Sequence, residues 1–104
     1  MILLLINCIC QNLNFFQALE KADVVFEGIL IKSDSSLTFK VINSIRQTTD
    51  TLLVIYNDKE CPYNFKLNKL YRVFVKKEGN KLITGKCFGN EELEDYEEIR
   101  DYSE

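Results

Sequence analysis

The sequence predicts a mainly β fold: a small five-stranded antiparallel barrel with a short helix at its start and a helix at its end. Three observations predict it. Apolar, β-branched runs recur at short intervals between residues 23 and 87, turn residues separate them, and Gly28 interrupts the first run where a barrel strand has to bend.

The elements follow in order. Asn14 to Ala22 carries Phe15, Phe16, Ala18, Leu19 and Ala22 on one helical face, with Asn12 or Asn14 as the cap, and predicts a helix of two to three turns. Asp23 to Lys32 is too densely apolar for one-sided exposure and reads as the first strand. Ser33 to Ser36 is a turn, and Leu37 to Arg46 alternates, with Leu37, Phe39 and Val41 on one face. Gln47 to Asp50 connects to a third strand, Thr51 to Tyr56. A loop from Asn57 to Asn68 holds the only proline, Pro62, within Glu60-Cys61-Pro62-Tyr63. Leu70 to Lys76 is the fourth strand, Glu78-Gly79-Asn80 a hairpin turn, and Lys81 to Cys87 the fifth strand. From Asn90 to Tyr102, Leu93, Tyr96 or Glu97, and Ile99 or Arg100 lie near a 3–4 spacing, which predicts a weakly amphipathic surface helix.

Composition narrows function before any motif is considered. The chain has 104 residues, no His, no Trp, one Pro, four Gly and four Cys, with 46% hydrophobic and 28% charged residues, which describes one domain with one core. Without His, the Ser-His and Cys-His nucleophile pairs, H-E-x-x-H metal sites and Cys/His zinc fingers are excluded. An enzyme would have to work with carboxylates, Lys or Tyr alone. The acids are gathered in the tail and no paired pocket carboxylates can be inferred, so the chain reads as a non-enzyme with no catalytic residue and no cofactor. Residues 91–104 hold eight acids and one base, so a net charge of −3 overall leaves +4 on residues 1–90. Lys32, Lys40, Lys59, Lys66 and Lys69 fall singly among apolar residues. That scatter is no phosphate-binding stripe, and nucleic acid is not an expected partner.

Residues 1–7, MILLLIN, are far short of the ~20 apolar residues a membrane span needs. They read as the surviving end of a secretory signal peptide whose start lies upstream, with cleavage after Asn7 exposing Cys8 as the mature first residue. Two other readings stand beside it. L-I-N-C resembles a relaxed lipoprotein processing site, in which Cys8 is lipidated and anchored to a membrane surface, and the run also suits a buried N-terminal strand.

The cysteines are Cys8, Cys10, Cys61 and Cys87, with no C-x-x-C to suggest a redox motif or zinc ribbon. Pairing Cys8 with Cys10 would strain the ring, which leaves Cys8–Cys61 with Cys10–Cys87, or the reverse. Loops of that length, once closed, stabilise by roughly 4 kcal/mol each on chain-entropy grounds. Disulfides would place the protein in an oxidising compartment, secreted or at the cell surface or periplasm. Four buried free thiols in a cytosolic protein are the alternative.

Together, C-I-C at 8–10, A-L-E-K-A-D-V-V-F-E-G at 18–28, E-C-P-Y at 60–63, L-Y-R-V-F-V at 70–75 and K-L-I-T-G-K-C at 81–87 resemble the tissue inhibitor of metalloproteinases family, in its netrin-like domain and in a short single-domain form. The resemblance covers about residues 8–90, and residues 91–104 follow as the acidic C-terminal helix. It implies an oligonucleotide/oligosaccharide-binding (OB) type barrel. It also implies the disulfides Cys8–Cys61 and Cys10–Cys87.

The function implied is inhibition of a zinc metalloprotease. The α-amino group and carbonyl oxygen of Cys8, once it is the first residue, would chelate the protease's zinc and displace the water the metal activates. Ile9 would enter the primary specificity pocket. Cys10 and Gln11 would continue the contact ridge, and Lys59, Glu60 and Cys61 would form its other half. Ile9 stands where the family usually has Ser or Thr, Gln11 and Asn12 stand where it has an early Pro, and its third disulfide has no counterpart. Cys8 and Cys10 also suit a plain staple for the N-terminus. The alternative function is a non-inhibitory extracellular or lipid-anchored binding module.

Overall fold

A computed structural model describes residues 8–48 and 50–95, and the expected signal-peptide remnant at 1–7 lies outside them. One helix, α1 (Phe15–Lys21), precedes six strands: β1 (Val24–Ser33), β2 (Leu37–Arg46), β3 (Leu52–Asn57), β4 (Lys69–Glu78), β5 (Lys81–Thr84) and β6 (Glu91–Asp95). Strand order is β1-β2-β3-β5-β4-β6, and β1 also pairs with β4, so the first five strands close into a barrel. This is the expected small OB-like barrel with one refinement. The β3–β5 pairing is parallel, Tyr56 opposite Ile83, so the barrel is mixed, not wholly antiparallel. A parallel neighbour is possible there because the whole of β4 and its preceding loop separates β3 from β5 in the chain.

Helix α1 forms where its cap allows. Asn14 accepts a hydrogen bond from the Gln17 amide at 2.9 Å and Gln17 Oε1 accepts from the Asn14 amide at 3.0 Å, a reciprocal capping box. At its other end, Arg46 Nη1 donates to the carbonyls of Leu19, at 2.5 Å, and Ala22, at 3.1 Å. The buried Ala18 and Ala22 face Val25 and Phe74, so α1 closes a small outer core against β1 and β4.

The barrel interior is filled by Val24, Phe26, Leu30, Phe39, Ile55, Val73 and their neighbours, most of them without measurable exposure. Each such large apolar side chain contributes about 2 kcal/mol by leaving water. β1 supplies both cores because successive side chains point to opposite faces, Val24 and Phe26 inward and Val25 toward α1, and its register with β2 shifts between Glu27 and Gly28. A Cβ at Gly28 would sit 2.8 Å from the Lys40 carbonyl oxygen and 2.9 Å from Phe26 Cε2, so only glycine lets β2 approach that closely.

Two expectations at the C-terminal side are overturned. The fifth strand does not run to Cys87: it ends at Thr84, and Lys86–Phe88 form a 3₁₀ turn in an excursion that carries Cys87 away from the sheet. The expected helix at 90–102 is not a helix over its first part, because Glu91–Asp95 form β6, antiparallel to β4. The reason lies on β4. Short β5 covers only Lys76 to Glu78, and β6 pairs with the otherwise open rungs at Lys69 to Arg72. Charge reinforces that pairing: Arg72 meets Glu27 and Glu91 at 3.2 Å each, and Lys69 meets Glu92 at 3.3 Å. The remainder of the expected acidic helix, 96–104, lies outside the described residues.

Candidate functional site

The N-terminal segment and the loop after β3 meet through two disulfides, Cys8–Cys61 and Cys10–Cys87, with Cα separations of 5.4 and 5.1 Å. Of the two pairings that spacing left open, this is the one the family resemblance implies. The Cys8–Cys61 bond brings Cys8-Ile9-Cys10-Gln11 alongside Lys59-Glu60-Cys61, so every residue expected at the ridge is gathered at one end of the barrel. Within it, Cys61 is buried and Cys8 and Cys10 are half-buried, whereas Gln11, Lys59 and Glu60 are exposed. Ile9, between two cross-linked residues, has 80% of its surface exposed, the largest value among the exposed large hydrophobic side chains of the described residues.

Side-chain and backbone hydrogen bonds tie the loop after β3 together. Asn57 Oδ1 accepts from the Tyr63 amide at 3.0 Å while its Nδ2 donates to the Tyr63 carbonyl at 2.8 Å, a side-chain clasp across the neck of the loop. Asp58 Oδ1 accepts from the Glu60 amide at 3.0 Å, which folds Lys59 into the turn tip. Beneath, the Asp58 amide donates to the Thr84 carbonyl and the Lys86 amide to the Cys61 carbonyl, both at 2.8 Å, joining the loop to the 85–90 excursion. A Cβ at Gly85 would lie 2.9 Å from Asp58 Cβ, so the close approach needs glycine.

These supporting residues, Asn57, Asp58, Gly85 and Lys86, are absent from the ridge read out of the sequence. Asp58-x-Glu60 is a local Asx-turn signal that could have shown one of them. The Asn57–Tyr63 clasp and the Lys86–Cys61 bond have no local signature, because each partner is set by the path of the loop.

Beside the ridge, a concave surface of about 600 Å³ runs between the Ser33–Ser36 turn, Tyr56 to Glu60 and the β4–β5 hairpin. Lys81 lies over the Tyr56 ring at 4.9 Å there, which fixes one wall. The Tyr63 phenol, under the loop, has its pKa raised above 10.0, first by burial and then by Tyr71, Glu92 and Glu91.

The Sγ atoms of Cys10, Cys61 and Cys87 lie within 4.8 Å of one another, so the two disulfides abut. As disulfides they offer no thiolate to a metal. A lipid thioether on Cys8 is likewise incompatible with the Cys8–Cys61 bond, since one sulfur cannot hold both. Two disulfides fit an oxidising compartment, and among the described residues no helix is long and apolar enough to cross a membrane. No protein-family model matches the chain, and no curated protein matches it in sequence.

Proposed function

We propose that the protein is a secreted, non-enzymatic inhibitor of zinc metalloendopeptidases, resembling the tissue inhibitors of metalloproteinases, and that its mature form begins at Cys8. The observation that carries this reading is Ile9: an 80% exposed aliphatic side chain held between two disulfide-bonded half-cystines, with Lys59 and Glu60 beside it. An apolar side chain on a rigid edge suits insertion into a hydrophobic protease pocket, because little conformational entropy is lost on binding.

In the sequence as it stands the Cys8 nitrogen is a peptide amide, so the chemistry requires cleavage after Asn7. The freed amine has an ordinary pKa of about 7.7–8.0, and zinc displaces its proton near neutral pH. Amine and carbonyl of Cys8 then take the coordination positions that hydrolytic water needs, and the protease loses its nucleophile.

The test uses chain beginning at Cys8, the same chain extended by one residue, and Ile9→Asp, each titrated against a panel of zinc endopeptidases. Inhibition by the first form only is the expected outcome. No inhibition by any form, or equal inhibition by the extended form, overturns the reading.

A further inference from the structure

The two abutting disulfides carry an inference that does not depend on the inhibitor reading. We propose that the reduced protein binds one zinc-class divalent cation through the thiolates of Cys8, Cys10, Cys61 and Cys87.

The sulfurs are already gathered. Those of Cys10, Cys61 and Cys87 lie within 4.8 Å of one another, and that of Cys8 lies outside this group of three but is bonded to Cys61's, which makes it the candidate fourth ligand. A tetrahedral zinc site with Zn–S distances of about 2.3 Å places its sulfurs about 3.8 Å apart, within reach of small side-chain rotations for Cys10, Cys61 and Cys87, while Cys8 has to swing in from its place beside Cys61. The C-x-C spacing fits the same end. Cys8 and Cys10 are strained as partners in one disulfide, but two thiolates on one ion need no bond between them.

The frame beneath Cys61 and Cys87 does not depend on the disulfides, and the segment bearing Cys8 and Cys10 is the part the metal would have to draw in. The Lys86 amide holds the Cys61 carbonyl and the Asp58 amide holds the Thr84 carbonyl, each at 2.8 Å, so the loop bearing Cys61 and the turn bearing Cys87 remain neighbours when the S–S bonds open. Burial is graded as a metal site requires. Cys61 is buried, Cys10 half-buried and Cys87 exposed, which gives a cation an entry side and a water-poor floor. The spacing in sequence matches no zinc ribbon; the barrel assembles the ligand set from three separate segments.

The chemistry balances with a dithiol as reductant. Each disulfide accepts two electrons and two protons from one dithiol, which leaves as its cyclic disulfide, so two equivalents yield four thiols. Binding then releases the four thiol protons as the thiolates donate to the cation, and the site carries a net charge of −2.

The experiment reduces the full chain with dithiothreitol, removes it anaerobically, and titrates with Co²⁺ and then Zn²⁺ while amide hydrogen exchange is followed in β1 and β4. The expected result is one Co²⁺ per chain with a thiolate-to-cobalt charge-transfer band and tetrahedral d–d bands, displaced by one Zn²⁺, with barrel protection kept or restored by the metal. Cys87→Ser and Cys10→Ser, reduced alike, weaken Co²⁺ binding at least about tenfold. Absence of the charge-transfer band overturns the proposal, and so does binding that survives in Cys61→Ser at full affinity. Metal uptake that leaves β1 and β4 unprotected overturns it as well, because the ligands then belong to an unfolded chain.

Discussion

Asn90 donates through Nδ2 to Thr84 Oγ1 at 2.8 Å, and between them these two side chains replace a missing rung of the sheet. Phe74 of β4 lies between the last β5 pair, Lys76 with Ile83, and the first β6 pair, Arg72 with Glu91. Its amide donates to Asn90 Oδ1 at 2.7 Å and its carbonyl accepts from Thr84 Oγ1 at 2.8 Å. The chain can therefore leave the sheet at Gly85, carry Cys87 to Cys10, and return as β6 without orphaning the Phe74 amide or carbonyl.

Asn90→Ala removes the acceptor for the Phe74 amide and the donor to the fully buried Thr84. A loss of about 2 kcal/mol is expected, since the buried partners keep their desolvation cost. Urea unfolding should show a lower midpoint at an unchanged slope.

Arg46→Met leaves the carbonyls of Leu19 and Ala22 without their charged donor. Stability should fall by about 1.5–3 kcal/mol, the range for hydrogen bonds to a charged group. Hydrogen exchange should accelerate first in α1, and β2 should keep its protection.

Cys10→Ser combined with Cys87→Ser opens a loop spanning 77 positions. Chain entropy puts the cost at about 4 kcal/mol, and thermal unfolding against the parent protein measures it. The barrel should persist, because the Lys86–Cys61 and Asp58–Thr84 hydrogen bonds still hold the excursion.

Tyr63 sets a limit at alkaline pH. Its pKa in the folded protein is raised above 10.0, chiefly by burial, so the folded state keeps a proton that the unfolded chain releases. That contribution to stability is fully present below pH 10.0 and is lost as pH rises through the folded value. Tyr63→Phe should show a shallower decline in urea midpoint above that pH, and phenolate absorbance should lack one component that titrates above 10.0.

Much of the barrel was legible because its signals are local. Asn12 or Asn14 ahead of an apolar helical spacing marks the helix start, the alternation of Leu37, Phe39 and Val41 gives β2 its inward face, and Gly28 within an apolar run marks the bend. The acidic segment misled for the opposite reason. Leu93, Tyr96 or Glu97, and Ile99 or Arg100 carry a weak 3–4 spacing in the sequence, and nothing within residues 91–95 reveals that β4 has open rungs waiting beside Arg72. Thr84 likewise gives no sign that β5 ends there, since Lys81 to Cys87 continues to look like a strand until Asn90 and Phe74 are brought together.

The sequence by itself determined the strand-rich fold, the oxidisable cysteine set and the absence of histidine chemistry, because composition and short-range periodicity act on each segment independently. Only the tertiary structure decided which cysteines pair, that β3 and β5 run parallel, and that residues 91–95 extend rather than coil. Those outcomes depend on backbone groups far apart in the chain finding partners, and such pairing is settled by closure of the barrel.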